Sequence, residues 1–289
     1  MRSCVLICGM HRTGTSLLSS IINQLGYFGG SDMISPTEDN PKGYFENNYI
    51  VNLNERILGS LNYVWDTPFI SDMELSRLVN YKFQNEAMDL VSDLFVDSDN
   101  IFIKDPRVCL LLNFWQRILK KQNSNVSIIC TLRNPNDTAI SEFRRAKSGR
   151  KYHHFGFKEN YTKRVWFTYI YHLLDSITAN SLFIDYDDII DKTDECVQML
   201  CSYLDINKDK IGDVYSLIDT DLRRNKSGKL YLDNFEDRLF DSLKKNLDEA
   251  NILTFELKDR LLSEYRWYEK VKMYNEPFKE FPKIVKSNL

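Results

Sequence analysis

The sequence predicts an α/β protein, with a central parallel β-sheet of about four to five strands flanked by helices. Three observations carry this expectation. Val5-Leu6-Ile7-Cys8, Ile101-Phe102-Ile103, Val126–Leu132 and Leu182-Phe183-Ile184 are short, continuous apolar runs, the pattern of strands buried on both faces. Each run is followed by a segment with apolar residues at helical spacing. The first run also passes through Gly9-Met10-His11-Arg12-Thr13-Gly14 into the helix-forming stretch Thr15–Ile22. That order of strand, loop and helix makes a cradle for an anion: two glycines let the backbone curl, and the first helical amides and the positive dipole end point at the charge.

The loop departs from the nucleotide-binding pattern G-x-x-x-x-G-K-[ST] at one place. Gly9, Gly14 and Ser16 are in register, but Thr15 stands where the lysine belongs and Arg12 brings a cation earlier. The lysine of that pattern reaches the β- and γ-phosphates of a nucleoside triphosphate, so its replacement counts against ATP or GTP hydrolysis. Binding of a smaller anion by amides, hydroxyls and a guanidinium is still supported.

Beyond the first helix, Ser31 to Tyr44 is polar and holds Pro36 and Pro41, so it reads as irregular. Glu38 and Asp39 read as solvated. Glu46 stands apart, because Tyr44 and Phe45 precede it and a helix over Asn47–Leu58 follows; partial burial there raises a carboxylate's pKa and suits it to accept a proton. Gly59–Phe69 is irregular, and Ser71–Val96 reads as one or two amphipathic helices without chemistry. The second strand is stopped by Pro106, leaving Lys104 at its carboxyl end before a helix over Val108–Lys121. The third strand ends at Arg133, and Asn134-Pro135 turns into a helix. Tyr161–Asn180 is an aromatic-rich helix of core and pocket wall, and Ser181–Tyr186 is the fourth strand, with Asp185, Asp187 and Asp188 as turn and cap. Two short helices are expected over 192–218. A basic stretch, Asp221–Gly228, either folds over a phosphate or links helices, and Asn234–Val271 is helical ahead of a partly disordered tail.

Arg12, Lys104 and Arg133 share one arrangement, each lying at or just beyond the end of a strand. Parallel strands with right-handed crossovers bring such ends to one sheet edge, where open α/β folds bind ligands. A common anionic ligand is therefore expected.

Composition bounds the rest. The chain has 289 residues, 43% hydrophobic and 27% charged, as in an ordinary globular protein. Its net charge of -3 argues against a dedicated nucleic-acid binder. Residues 101–165 nevertheless carry 14 Lys or Arg against 4 Asp or Glu, a net +10 suited to polyanionic ligands. The six cysteines lie in apolar runs without metal-type spacing and read as small buried hydrophobes. The four histidines are scattered, so no metal site is expected. The start is too short for a signal peptide and no apolar run approaches the roughly 20 residues of a membrane span, so a cytoplasmic protein is expected. One domain over 1–289 is expected, with a nucleotide-binding core to about residue 230 and a helical extension over 231–289.

On these residues the chain, up to about residue 226, resembles the bacterial PAPS-dependent sulfotransferase family of the P-loop sulfotransferase superfamily; PAPS is 3′-phosphoadenosine 5′-phosphosulfate. Gly9-Met10-His11-Arg12-Thr13-Gly14-Thr15-Ser16 looks like the loop that holds the 5′-phosphosulfate. Arg133 and Ser141 resemble the second motif, whose arginine and serine hold the 3′-phosphate. Asn40–Glu46 and Ile103–Arg107 are also similar to stretches of this family, Glu46 matching its acidic base and Lys104 a lysine near the transferred group. Leu222-Arg223 resembles a late loop over the nucleotide, with Arg224 where a histidine is often found. The resemblance implies a P-loop NTPase-like sulfotransferase fold and nucleotide binding by Gly9, His11, Arg12, Thr13, Gly14, Thr15, Ser16, Arg133, Ser141, Arg223 and Arg224. It implies Glu46, Arg12 and Lys104 as catalytic residues, PAPS as co-substrate with no metal required, and a glycan or glycolipid hydroxyl as acceptor. A P-loop kinase of a small metabolite and a catalytically silent nucleotide-binding protein are the alternative readings.

Overall fold

A computed structural model of the chain describes residues 2–37, 40–68, 70, 81–147, 159–178, 180–207, 214–218, 235–247, 256 and 258–263. Among these, four strands form one parallel sheet: β1 (Ser3–Cys8), β2 (Asn100–Lys104), β3 (Asn125–Leu132) and β4 (Leu182–Asp185), in the order β2-β1-β3-β4. The register lines up the carboxyl ends, pairing Ile7 with Lys104, Cys8 with Cys130 and Leu132 with Asp185. The loop after β1, Lys104 and Arg133 therefore leave the sheet along one edge.

Burial on both faces explains why the strands read as unbroken apolar runs. Cys4, Leu6 and Cys8 join Ile101, Ile103, Ile128 and Cys130 in one core, whereas Val5 and Ile7 join Phe102, Ile129 and Ile184 in another. The first core is covered by α2 (Asn48–Ser60), α3 (Tyr81–Asp97), α4 (Leu112–Lys121) and α6 (Glu159–Ser176), through residues such as Leu53, Val91, Trp115 and Trp166. The second is covered by α1 (Thr15–Gln24), α7 (Tyr186–Asp191) and α8 (Thr193–Leu204), through Leu18, Ile21, Ile189 and Leu200. Helix α5 (Pro135–Lys147) follows β3 and packs on α6, and α9 (Phe235–Leu247) adds Leu239, Phe240 and Leu243 to the first core. All six cysteines are buried and none is in a disulfide, in keeping with their apolar surroundings. No helix among the described residues is long and apolar enough to cross a membrane.

Local capping sets the boundaries that matter for function. The Asn47 side chain accepts from the amides of Tyr49 and Ile50, so α2 begins directly after Glu46; such a cap contributes about 1 kcal/mol. Where a helix over Val108–Lys121 is expected, a 3-10 turn over Pro106–Cys109 comes first and α4 begins only at Leu112. Asp105 causes the change by accepting from the Arg107 amide as cap, with Pro106 fixing the first turn. Asp185 likewise caps α7 through the Asp187 amide and ends β4 there, so Tyr186 opens a helix rather than closing the strand. The aromatic helix stops at Ser176, and the second short helix expected before residue 218 is a 3-10 turn at Tyr215–Leu217. Glu38, Asp39, residues 71–80, the 221–228 stretch with Arg223 and Arg224, and the tail lie outside the described residues.

Candidate active site

The loop between β1 and α1 is shaped from within. Gly9 has φ +148, and a side chain there would place Cβ 2.3 Å from the Thr131 hydroxyl. Gly14 has φ +95, and its Cβ would meet the Tyr186 ring at 2.4 Å. Neither position admits another residue without displacing the loop. The Gly9 amide donates to Cys109 Sγ at 3.0 Å, and the Thr13 amide to the Met10 carbonyl at 3.3 Å. The Thr13 hydroxyl is spent on the same carbonyl, 2.7 Å away, and on Thr131 Oγ1 at 2.9 Å. Thr13 thus braces the loop instead of facing outward. Gly14 is the N-cap of α1 and provides no side-chain cap, which leaves the first-turn amides of Thr15 and Ser16 for an anion. The His11 ring stacks at a tilt on Trp65, centroids 4.4 Å apart, and meets the Tyr169 edge at 6.2 Å.

Lys104 and Glu46 meet beside this loop. Lys104 Nζ lies 2.5 Å from Glu46 Oε1, donates to the Tyr44 carbonyl at 2.8 Å, and reaches Ser16 Oγ at 3.5 Å. Both side chains are buried, 2% and 8% exposed. The aromatic residues before Glu46 are thus joined by a cationic partner that the sequence did not indicate. Ser16 also donates to the Tyr44 carbonyl at 3.3 Å and accepts from Asn40 Nδ2 at 3.3 Å, so the 40–46 segment folds over the phosphate loop. Behind the pair, the buried Asp105 accepts from Asn54 Nδ2 at 2.8 Å and from the Arg107 guanidinium at 2.8 Å, and Trp115 donates to Asn54 at 2.9 Å. This network ties α2, which follows Glu46, to the end of β2, which presents Lys104. Burial alone would lower the Arg107 pKa, yet the Asp105 charge, with Tyr169, Glu55 and Glu46, holds it above its ordinary value.

Arg12, Arg133 and Ser141 form the other corner. Arg12, held at φ 66, donates from Nε to Ser141 Oγ at 3.0 Å. Arg133 donates to the Arg12 carbonyl at 2.9 Å, and its guanidinium lies 4.3 Å over the Tyr186 ring. Burial lowers the Arg133 pKa from its ordinary value, and the Tyr186 and Asp137 fields oppose that shift. The sequence reading gives Arg12 a share in both corners, and its Nε hydrogen bond joins it to Ser141.

All three strand-tip cations are therefore bonded to the loop or belong to it. Sequence reasoning assigned no role to Asn54, Trp65 and Tyr186, and placed Asn40 in a family-like stretch without giving it a partner. Tyr186 had a usable signal, since it closes the fourth strand read from the sequence and so stands at the same sheet edge as Arg133. The role of Asn54 had none, because its partner Asp105 is 51 residues away.

A parallel sheet whose carboxyl edge carries a glycine-bearing loop flanked by the buried Lys104 and Arg133 defines an α/β protein with a candidate anion site at that edge. The sulfotransferase domain family matches residues 2–237, and the chain belongs to that family. No curated protein matches it. Among solved structures it is similar to the sulfotransferase domain of the Synechococcus PCC 7002 olefin synthase, at 15% identity, TM-score 0.46, with 86% of this chain and 96% of that one covered. The sulfotransferase domain from the curacin biosynthetic pathway gives 16% identity and TM-score 0.45 over 85% and 98% of the two chains. A sulfotransferase from Alicyclobacillus acidocaldarius gives 17% and 0.44 over 92% and 99%.

Proposed function

We propose that this sulfotransferase moves a sulfuryl group from PAPS to a hydroxyl acceptor, a glycan or glycolipid, and releases adenosine 3′,5′-bisphosphate. The observation that carries the reading is Lys104, which joins the candidate base Glu46 to Ser16 of the phosphate loop. The residues present fit the donor: uncapped amides at Thr15 and Ser16 suit the 5′-phosphosulfate, and Arg133 with Ser141 suits the 3′-phosphate. Bound PAPS supplies an activated sulfuryl group.

Glu46 accepts the proton of the attacking hydroxyl through the oxygen that now faces Lys104. Lys104, within reach of both Glu46 and Ser16, stabilises negative charge growing toward the leaving phosphate, assisted by the loop amides. Arg12, bonded to Ser141, holds the nucleotide side and fixes the line of displacement by orientation. A sulfuryl group carries less charge than a phosphoryl group, so these cations suffice and the proposal includes no metal.

Thermal shift separates this reading from the kinase. Adenosine 3′,5′-bisphosphate at 100 times its Kd should stabilise the protein by about 2.7 kcal/mol, a rise of roughly 5–10 °C for a chain of this size. Stabilisation by ATP with magnesium and none by the bisphosphate would overturn it in favour of a kinase.

A further inference from the structure

Trp65 and Asp66 are the two central residues of a β-turn, closed by the Thr67 amide on the Val64 carbonyl at 3.0 Å and by the Val64 amide on the Thr67 hydroxyl at 3.0 Å. Three bonds pin this segment to α6: Tyr169 Oη to the Trp65 carbonyl at 2.8 Å, Thr168 Oγ1 to the Pro68 carbonyl at 2.7 Å, and His172 Nε2 with the Ile70 carbonyl at 3.0 Å. The turn is thus held on α6, and its Trp65 ring meets the loop at His11, one residue before Arg12. Both turn side chains are half-buried rather than enclosed.

Asp66 has a cost that no cation among the described residues offsets. Among the described residues it makes no ion pair, and its own amide is the one hydrogen-bond donor acting on it. The ionisable groups near it are the hydroxyls of Tyr161 and Tyr169, which bring no positive charge. Burial pushes its pKa up, so the charged form is held at the expense of stability. A half-buried carboxylate without a cation among the described residues, next in the chain to a ring that meets the glycine-bearing loop, is what a binding site retains for a ligand and a folding core does not.

We propose that Trp65 and Asp66 form the acceptor subsite of the transfer reaction and select a neutral, polyhydroxylated ring, that is, a sugar. The inference rests on the sulfotransfer reading. One hydroxyl of the acceptor goes to Glu46; a second donates to Asp66, while an apolar face of the ring lies on Trp65. A simple phenol has one hydroxyl and cannot serve both carboxylates. A phosphorylated or sulfated sugar brings like charge toward Asp66 and is disfavoured.

The test uses the full chain and labelled PAPS, with lactose, glucose 6-phosphate and 4-nitrophenol as acceptors, in the parent protein and in Asp66→Asn and Trp65→Ala. Lactose should be the preferred acceptor. Asp66→Asn should lower kcat/KM for lactose by about 10- to 100-fold, mainly through KM, narrow the preference over glucose 6-phosphate, and leave affinity for adenosine 3′,5′-bisphosphate unchanged. The same variant should melt higher than the parent at neutral pH, so misfolding cannot imitate the result. Trp65→Ala should weaken lactose in the same direction. Unchanged lactose kinetics in Asp66→Asn, or 4-nitrophenol used as well as lactose, overturns the subsite. Binding of the bisphosphate without transfer to lactose overturns the sugar assignment alone, whereas no binding of the bisphosphate overturns the sulfotransfer reading beneath it.

Discussion

Replacing Glu46 with Gln tests the centre of the site, because it removes one charge from a buried pair and keeps its shape. Lys104 Nζ retains the Tyr44 carbonyl at 2.8 Å and Ser16 at 3.5 Å, and a carboxamide oxygen still stands where the carboxylate was. A hydrogen bond to a charged group contributes about 1.5–3 kcal/mol, so the variant should melt roughly 3–12 °C lower. Lys104→Met leaves the Glu46 carboxylate buried alone and should cost more, about 3–5 kcal/mol. Combining the two removes every buried charge of the pair and should recover much of the stability lost in either single variant. Turnover behaves differently. Loss of a positioned proton acceptor costs about 10²–10⁴-fold, so Glu46→Gln and the double variant should both be inactive with labelled PAPS and an acceptor. Calorimetry should find adenosine 3′,5′-bisphosphate bound to Glu46→Gln within about threefold of the parent, less than half of a tenfold step in free energy. Turnover within tenfold of the parent, or weakened nucleotide binding in its place, refutes the assignment of Glu46 as base. Simple additivity of the two stability losses refutes the coupling.

Arg133→Ala should weaken adenosine 3′,5′-bisphosphate by about 10- to 100-fold and AMP much less, as read by calorimetry; equal losses would contradict a 3′-phosphate role. Arg133→Lys separates charge from geometry, because lysine cannot reproduce both the Arg12 carbonyl bond and the flat contact on Tyr186, and should recover only part of the affinity. Asp66 predicts a pH dependence of stability. Its folded pKa lies above the usual 3.8, so the parent and Asp66→Asn should melt together below about pH 3.8 and diverge as pH rises through the folded value, the variant being the more stable at neutral pH. A melting difference that shrinks toward neutral pH contradicts the buried-carboxylate account.

Much of this architecture is legible along the chain because it is local. Four apolar runs, their following helices and the glycine-bearing loop each need only neighbouring residues to form, and the structure places strands at all four. Arg12, Lys104 and Arg133 are legible for the same reason, since a residue at the end of a buried strand goes where the strand points. Asp105 and Asp185 show the limit of that reasoning. Helical spacing suggested where the next helix lay, but the carboxylate caps decided where it started, converting one predicted turn to a 3-10 helix and taking Tyr186 out of the strand.

The site is less legible, because its polar bonds join distant residues. Lys104 and Glu46 are 58 positions apart, and Arg12 and Ser141 129 apart. Hydrophobic periodicity reports which face is buried and says nothing of which buried polar groups then find each other. The family resemblance named both ends of the first pair without joining them. The sequence alone determined a parallel α/β sheet, a glycine-bearing loop after its first strand and cations at three strand tips, since short-range sterics and hydropathy dictate them. Tertiary structure alone decided the strand order, the burial of Lys104 against Glu46 and the seating of Trp65 on the phosphate loop, because those depend on how separate elements stack and which charges must be paired once water is excluded.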